Sequence, residues 1–189
     1  MSDPTVFISY SHRDEAWKDR LLPQLLALEQ AGVGMRVWQD RKIDGGDKWY
    51  PEILEAMANS AAAVLLISPD FLASKFCIQD EVPALLKRQE TQGMLLVPVL
   101  LRPCVWQAHR WLKDRQMLPR NGECVAIDFA GDMADAVFTT VAEQVLSHLQ
   151  QIADNTPTAV VIPVAVHQLV AQPVAQADQS IVAPPPEIP

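Results

Sequence analysis

The sequence predicts an α/β fold: a five-stranded parallel sheet with helices on both faces. Residues 62–67, Ala-Ala-Val-Leu-Leu-Ile, form an unbroken apolar run of strand length, which suits a central parallel strand buried on both faces. Ser68, Pro69 and Asp70 then turn the chain, and the spacing becomes helical, with Phe76, Val82, Leu85 and Leu86 apolar and Asp80, Glu81, Lys87 and Arg88 polar. Strand-like and helix-like segments alternate along the rest of the chain in the same way, the pattern of a parallel sheet joined by helical crossovers. Ligands of open α/β sheets bind at the carboxyl ends of the strands, so a polar residue on the first turns after residues 62–67 faces the expected crevice. Glu81 is that residue.

The elements follow in order. Residues 5–10, TVFISY, are β-branched and aromatic behind Pro4 and make the first strand. After Ser11, His12, Arg13 and Asp14, the spacing of Trp17, Leu21, Leu22, Leu25, Leu26 and Leu28 predicts a helix through Glu29, with Pro23 marking a kink or a late start. Gly32 and Gly34 end it before a short strand at 35–38. Residues 39–48, QDRKIDGGDK, are a polar surface loop centred on Gly45-Gly46. A second helix spans 49–59, with Asp47 as N-cap and Pro51 in its first turn. Gly93 closes the helix that follows residues 62–67, and 94–101 is a fourth strand whose Pro98 argues for an edge or a bulge. Residues 102–122 show no period and read as an irregular connection with a short helix. Residues 124–127 are expected to be the fifth strand, and a last amphipathic helix starts at Asp132 and carries Val137, Val141, Val145 and Leu149.

Composition narrows the functional classes. The 189 residues are 49% hydrophobic and 20% charged, as in a globular protein, and suit one domain with an appendage. A formal net charge of -8 and a pI of about 4.9 argue against binding to nucleic-acid phosphates. Cys77, Cys104 and Cys124 are widely spaced, with no paired-cysteine or histidine cluster, so neither a disulfide framework nor a metal site is expected. With no secretory signal and no apolar span of membrane length, a cytoplasmic location is the expectation. From residue 154 onward Lys, Arg, Gly and aromatic residues are absent while Pro, Ala, Val and Gln dominate, which reads as an extended linker or disordered tail.

Four stretches together resemble a bacterial Toll/interleukin-1 receptor (TIR) domain: VFISYSHRDEAW at 6–17, DRKIDGGDKWYPEI at 40–53, VLLISPDFLASKFCIQDEV at 64–82 and VPVLLRPCVW at 97–106. The resemblance covers about three-quarters of the chain and implies a flavodoxin-like version of the fold above, with a TIR domain at 1–152 and the tail at 153–189. TIR domains include scaffolds that only assemble with one another and enzymes that cleave NAD at the nicotinamide–ribose bond. The enzymatic kind carries a glutamate on the helix after the third strand, which aligns here with Glu81 through Ser74, Phe76, Cys77 and Val82; Asp80 is the rival by one position.

The resemblance therefore implies an NAD glycohydrolase or ADP-ribose cyclase acting as an immune, antiphage effector, with NAD as substrate, no further cofactor, and activation by self-association. The alternative is a non-catalytic scaffold for TIR–TIR signalling. By the same resemblance, Phe7, Tyr10, Ser11 and His12 border the adenine or phosphate end, Asp40, Arg41, Lys42 and Trp49 lie nearby, and Cys77 stands where many enzymatic relatives carry Trp. A sensor domain or partner beyond the tail is expected as well.

Plainer readings compete. Without its motif, Glu81 is a solvated helix residue. His12 fits a surface turn, Arg41 and Lys42 a solvated loop, Cys77 a small buried hydrophobe, and Trp106 and Trp111 packing. Ser9 and Ser11 lack the His–Asp pair of a nucleophilic serine, and Gly45-Gly46 matches no phosphate-binding fingerprint.

Overall fold

In the computed structural model, which describes residues 3–39 and 49–155 (the side chains of residues 39, 49 and 50 excepted), the long apolar run forms β3 (Ser60–Ile67). Every residue of β3 but Ala61 is buried. On one side it pairs with β1 (Thr5–Ser9), on the other with β4 (Leu95–Leu100), and β2 (Arg36–Gln39) lies beyond β1. All pairs are parallel, in the order β2-β1-β3-β4. The chain thus runs outward from β1 to β2, returns to β3 and continues to β4, so its direction of travel reverses between β1 and β3. Such a reversal opens a crevice at the carboxyl ends of those two strands. Ser9, the last residue of β1, lies there beside Leu65.

Alternate residues of each strand supply two apolar layers, because successive side chains point to opposite faces. On one face, Val6, Ile8, Val64, Leu66, Val97 and Val99 pack with Leu21 and Leu25 of α1 (Glu15–Gln30) and with Val137, Phe138 and Val141 of α7 (Met133–Asn155). On the other, Phe7, Leu65, Ile67 and Leu96 pack with Ile53 and Met57 of α2 (Trp49–Asn59) and with Val82 and Leu85 of α4 (Val82–Gln92). Each such fully buried side chain contributes about 1.5–3 kcal/mol relative to exposure. Helix α1 continues through Pro23, which stands on its exposed side, so the helix has no late start. Gly93 closes α4 in the left-handed region (φ 68°), where a side chain would be strained.

The expected fifth strand is corrected. Residues 124–127 do not pair; Val125–Asp128 is a short helix. The Asp128 carboxylate accepts the Cys124 N–H at 2.6 Å and the Ala126 N–H donates to the Leu101 carbonyl, which folds this short apolar run into a turn. The outer edge of β4 is met instead by Leu118, which donates to the Pro98 carbonyl at 2.9 Å and accepts from the Leu100 N–H at 2.7 Å. Pro119 has no N–H with which to continue that pairing. Pro98 is tolerated for a related reason: its nitrogen faces the same side as its carbonyl, toward Leu118 and away from β3, so the β3–β4 ladder loses no donor.

The shorter helices are α3 (Pro69–Ala73), α5 (Arg110–Lys113) and α6 (Val125–Asp128), and the irregular connection expected at 102–122 holds α5 between single 3-10 turns. The boundary expected at residue 152 falls inside α7, and residues 156–189 of the expected tail lie outside the described residues. So does the polar loop at 40–48. Among the described residues no helix is long and apolar enough to cross a membrane.

Candidate active site

Two distant polar side chains meet at the carboxyl ends of β1 and β3, where folds of this class place their ligand crevice. Ser9 shares the face of Phe7 through the two-residue period of β1, yet it is polar and only 1% exposed. Glu81 reaches it from the segment after β3. There Ser68 caps the short helix Pro69–Ala73, accepting the Phe71 N–H at 3.0 Å, with Pro69 in the first turn where no donor is needed. Residues Cys77–Glu81 then form one π-helical turn, closed by the Val82 N–H donating to the Cys77 carbonyl five residues back. Cys77 and Glu81 both point inward from this turn, Glu81 at 5% exposure, whereas Asp80 is exposed. The Ser9 hydroxyl donates to Glu81 Oε2 at 2.7 Å.

A buried carboxylate is costly unless hydrogen-bonded, and the Ser9 hydroxyl meets part of that demand. Cys77 lies beside it. Burial first, and then the neighbouring Glu81 charge, push the Cys77 thiol up to about 12, so at neutral pH it is a protonated, weakly polar neighbour and not a thiolate nucleophile. Its Sγ is 3.9 Å from the Tyr10 carbonyl oxygen. A carboxylate fixed in this manner can accept hydrogen bonds from sugar hydroxyls and stabilise positive charge developing nearby.

A second buried acid stands at the same edge of the sheet. Asp14, 1% exposed on the 3-10 turn His12–Asp14, accepts from Arg102 Nε at 3.1 Å and Nη2 at 2.8 Å through one oxygen and from the Ser68 hydroxyl through the other. Arg102 also hydrogen-bonds Asp70, which with Asp14 raises the guanidinium pKa further above its already high value. Residues following β1, β3 and β4 are thereby tied together at their carboxyl ends.

A family profile described as a TIR domain matches residues 6–142. The chain belongs to the TIR domain family. Among its relatives, the uncharacterized protein y4lF of Sinorhizobium fredii is 34% identical over 120 residues, 64% of this chain. The chain spans only 36% of that relative's length. Among solved structures, the TIR domain heterodimer of RPS4 and RRS1 is 14% identical, with 78% of this chain and 99% of that one covered at a TM-score of 0.52, a likeness of fold. The TIR domain of the Toll-related receptor TRR-2 from Hydra magnipapillata is 26% identical, with 56% and 78% covered and a TM-score of 0.39.

Of the TIR site residues expected from sequence, the fold brings Glu81, Cys77 and the Tyr10 backbone together. Phe7 is enclosed in the core, its ring stacked on Trp38 with centroids 4.9 Å apart. The Tyr10 ring packs in the α1 and α7 layer, with Lys18 Nζ 5.7 Å from its centroid. Ser11 is half-buried, and its carbonyl accepts the Asp14 N–H at 2.7 Å. His12 is exposed and meets the Tyr10 ring edge-on. Asp40, Arg41 and Lys42 lie outside the described residues, as does the Trp49 side chain. Trp106 and Trp111 are partly buried against the core.

Sequence reasoning missed Ser9 as the partner of Glu81, and Asp14, Ser68 and Arg102 as a network. One signal for Ser9 was available: a hydroxyl on the face that Phe7 turns to the core.

Proposed function

We propose that this TIR domain cleaves NAD at the nicotinamide–ribose bond, releasing nicotinamide and either ADP-ribose or a cyclised ADP-ribose. The observation that carries the reading is the buried Glu81 carboxylate, held by Ser9 at the point where strand order reverses. Nicotinamide leaves a cation as a neutral molecule, so its departure needs little acid assistance. The remaining demand is to hold the ribose hydroxyls and to stabilise oxocarbenium character at the anomeric carbon, and a carboxylate can meet both. In hydrolysis, water adds to that carbon as the C–N bond breaks and a proton is released; in cyclisation, a nucleophile of the same molecule takes the place of water.

Self-association belongs to the same reading, and activity per molecule is expected to rise with protein concentration. RPS4 and RRS1 TIR domains form a heterodimer, and the proposal extends pairing of that kind to this chain as the step that switches on an immune effector. The test incubates concentrated protein and a crowding agent with NAD and resolves the products by chromatography. Wild type is expected to release nicotinamide, and Glu81→Gln to lose at least about 100-fold in rate while keeping its circular dichroism spectrum. An assembled wild type that releases none would overturn the reading in favour of a TIR scaffold.

A further inference from the structure

We infer that Ser9 is a positioning residue for Glu81, setting the direction in which that carboxylate faces the crevice. The inference rests on the NAD-cleaving reading. Ser9 belongs to β1, which is paired on both sides by β2 and β3 and is therefore among the most firmly held backbone in the sheet. Glu81 belongs to a single π-helical turn and has a long side chain with several rotatable bonds. A 2.7 Å hydrogen bond from hydroxyl to carboxylate, between two buried groups 72 positions apart, transfers the fixed placement of the strand to the end of that side chain.

Packing does not account for a hydroxyl here. Val6, Phe7 and Ile8 before it are apolar and buried, and a buried hydroxyl without a partner is destabilising. Its proton is directed at Glu81, which leaves Ser9 the role of a donor. Cys77, on the same turn as Glu81, supplies the neighbouring wall and places its thiol beside the carboxylate.

Ser9→Ala and Ser9→Thr, each compared with wild type in NAD turnover, test the assignment. Ser9→Ala is expected to lower kcat roughly 10-fold to 100-fold with KM held within about twofold, because misdirection of a catalytic group acts on the transition state. Ser9→Thr, which keeps the hydroxyl, is expected to recover most of the loss. An unchanged kcat in Ser9→Ala overturns the proposal, as does a loss of kcat that follows the melting temperature and is not recovered by Ser9→Thr. The 13Cδ resonance of Glu81, assigned by its disappearance in Glu81→Gln, gives a readout without turnover. It is expected to move in Ser9→Ala and to stay near its wild-type position in Ser9→Thr; an unmoved resonance in Ser9→Ala overturns the positioning role. If wild type releases no nicotinamide, the NAD-cleaving reading fails and the resonance still decides the role of Ser9.

Discussion

Asp14 and Glu81 are both buried carboxylates at the carboxyl edge of one sheet, and they are held in different ways. Asp14 accepts two N–H groups of the Arg102 guanidinium and the hydroxyl of Ser68, and Arg102 continues to Asp70. Glu81 accepts the hydroxyl of Ser9 and lies beside the protonated thiol of Cys77. A guanidinium neutralises the charge it binds, and by joining residues that follow three different strands it acts as a strut. A hydroxyl fixes the direction of a carboxylate without cancelling its charge. The first arrangement ties three segments together; the second orients one carboxylate, as the proposed NAD-cleaving reading requires.

The contrast predicts unequal losses of stability when the two arrangements are disrupted. Arg102→Ala leaves the Asp14 charge buried and is expected to lower unfolding free energy by about 2–3 kcal/mol, short of the loss for a fully enclosed pair because Arg102 is one-third exposed. Urea unfolding measures it, with Glu81→Gln alongside, for which a change within about 1 kcal/mol is expected. A larger loss in Glu81→Gln than in Arg102→Ala would erase the distinction between strut and site. Ser68→Ala removes one donor to Asp14 and the cap of the helix after β3, and is expected to lose about 1–2 kcal/mol in the same measurement.

The smallest effect sharpens the Glu81 side. The Cys77 thiol is raised in the folded state from an ordinary value of 9.0 to about 12, so above pH 9 the unfolded chain releases a proton that the folded chain retains. The stability contributed by the protonated thiol is complete below pH 9 and is lost as pH rises toward 12. Denaturant midpoints measured across that window are expected to fall with pH, and the fall to be shallower in Cys77→Ala. Equal slopes in the two proteins would show that the thiol is not enclosed as described.

Much of this architecture was legible in the sequence, because its signals are local. An apolar run as long as β3 has few alternatives, and the helical spacings of α1 and α7 repeat over enough turns to be distinctive. Residues 124–127 misled because four apolar residues fit a strand and a helical turn equally well, and the Asp128 cap and the Leu101 carbonyl decided between them. Glu81 was legible through its motif. Its partner was not, since Ser9 meets it only when β1 and the turn after β3 are brought together. Asp14 and Arg102, 88 positions apart, were hidden for the same reason.

The π turn at Cys77–Glu81 bears on how relatives are compared. It holds one residue more than an α-helical turn would, so an alignment that crosses it by helical count shifts by one position. The same acid then falls opposite Asp80 under one count and opposite Glu81 under another. Equivalent acids across such a turn are better matched by the strand residue each one touches than by sequence spacing.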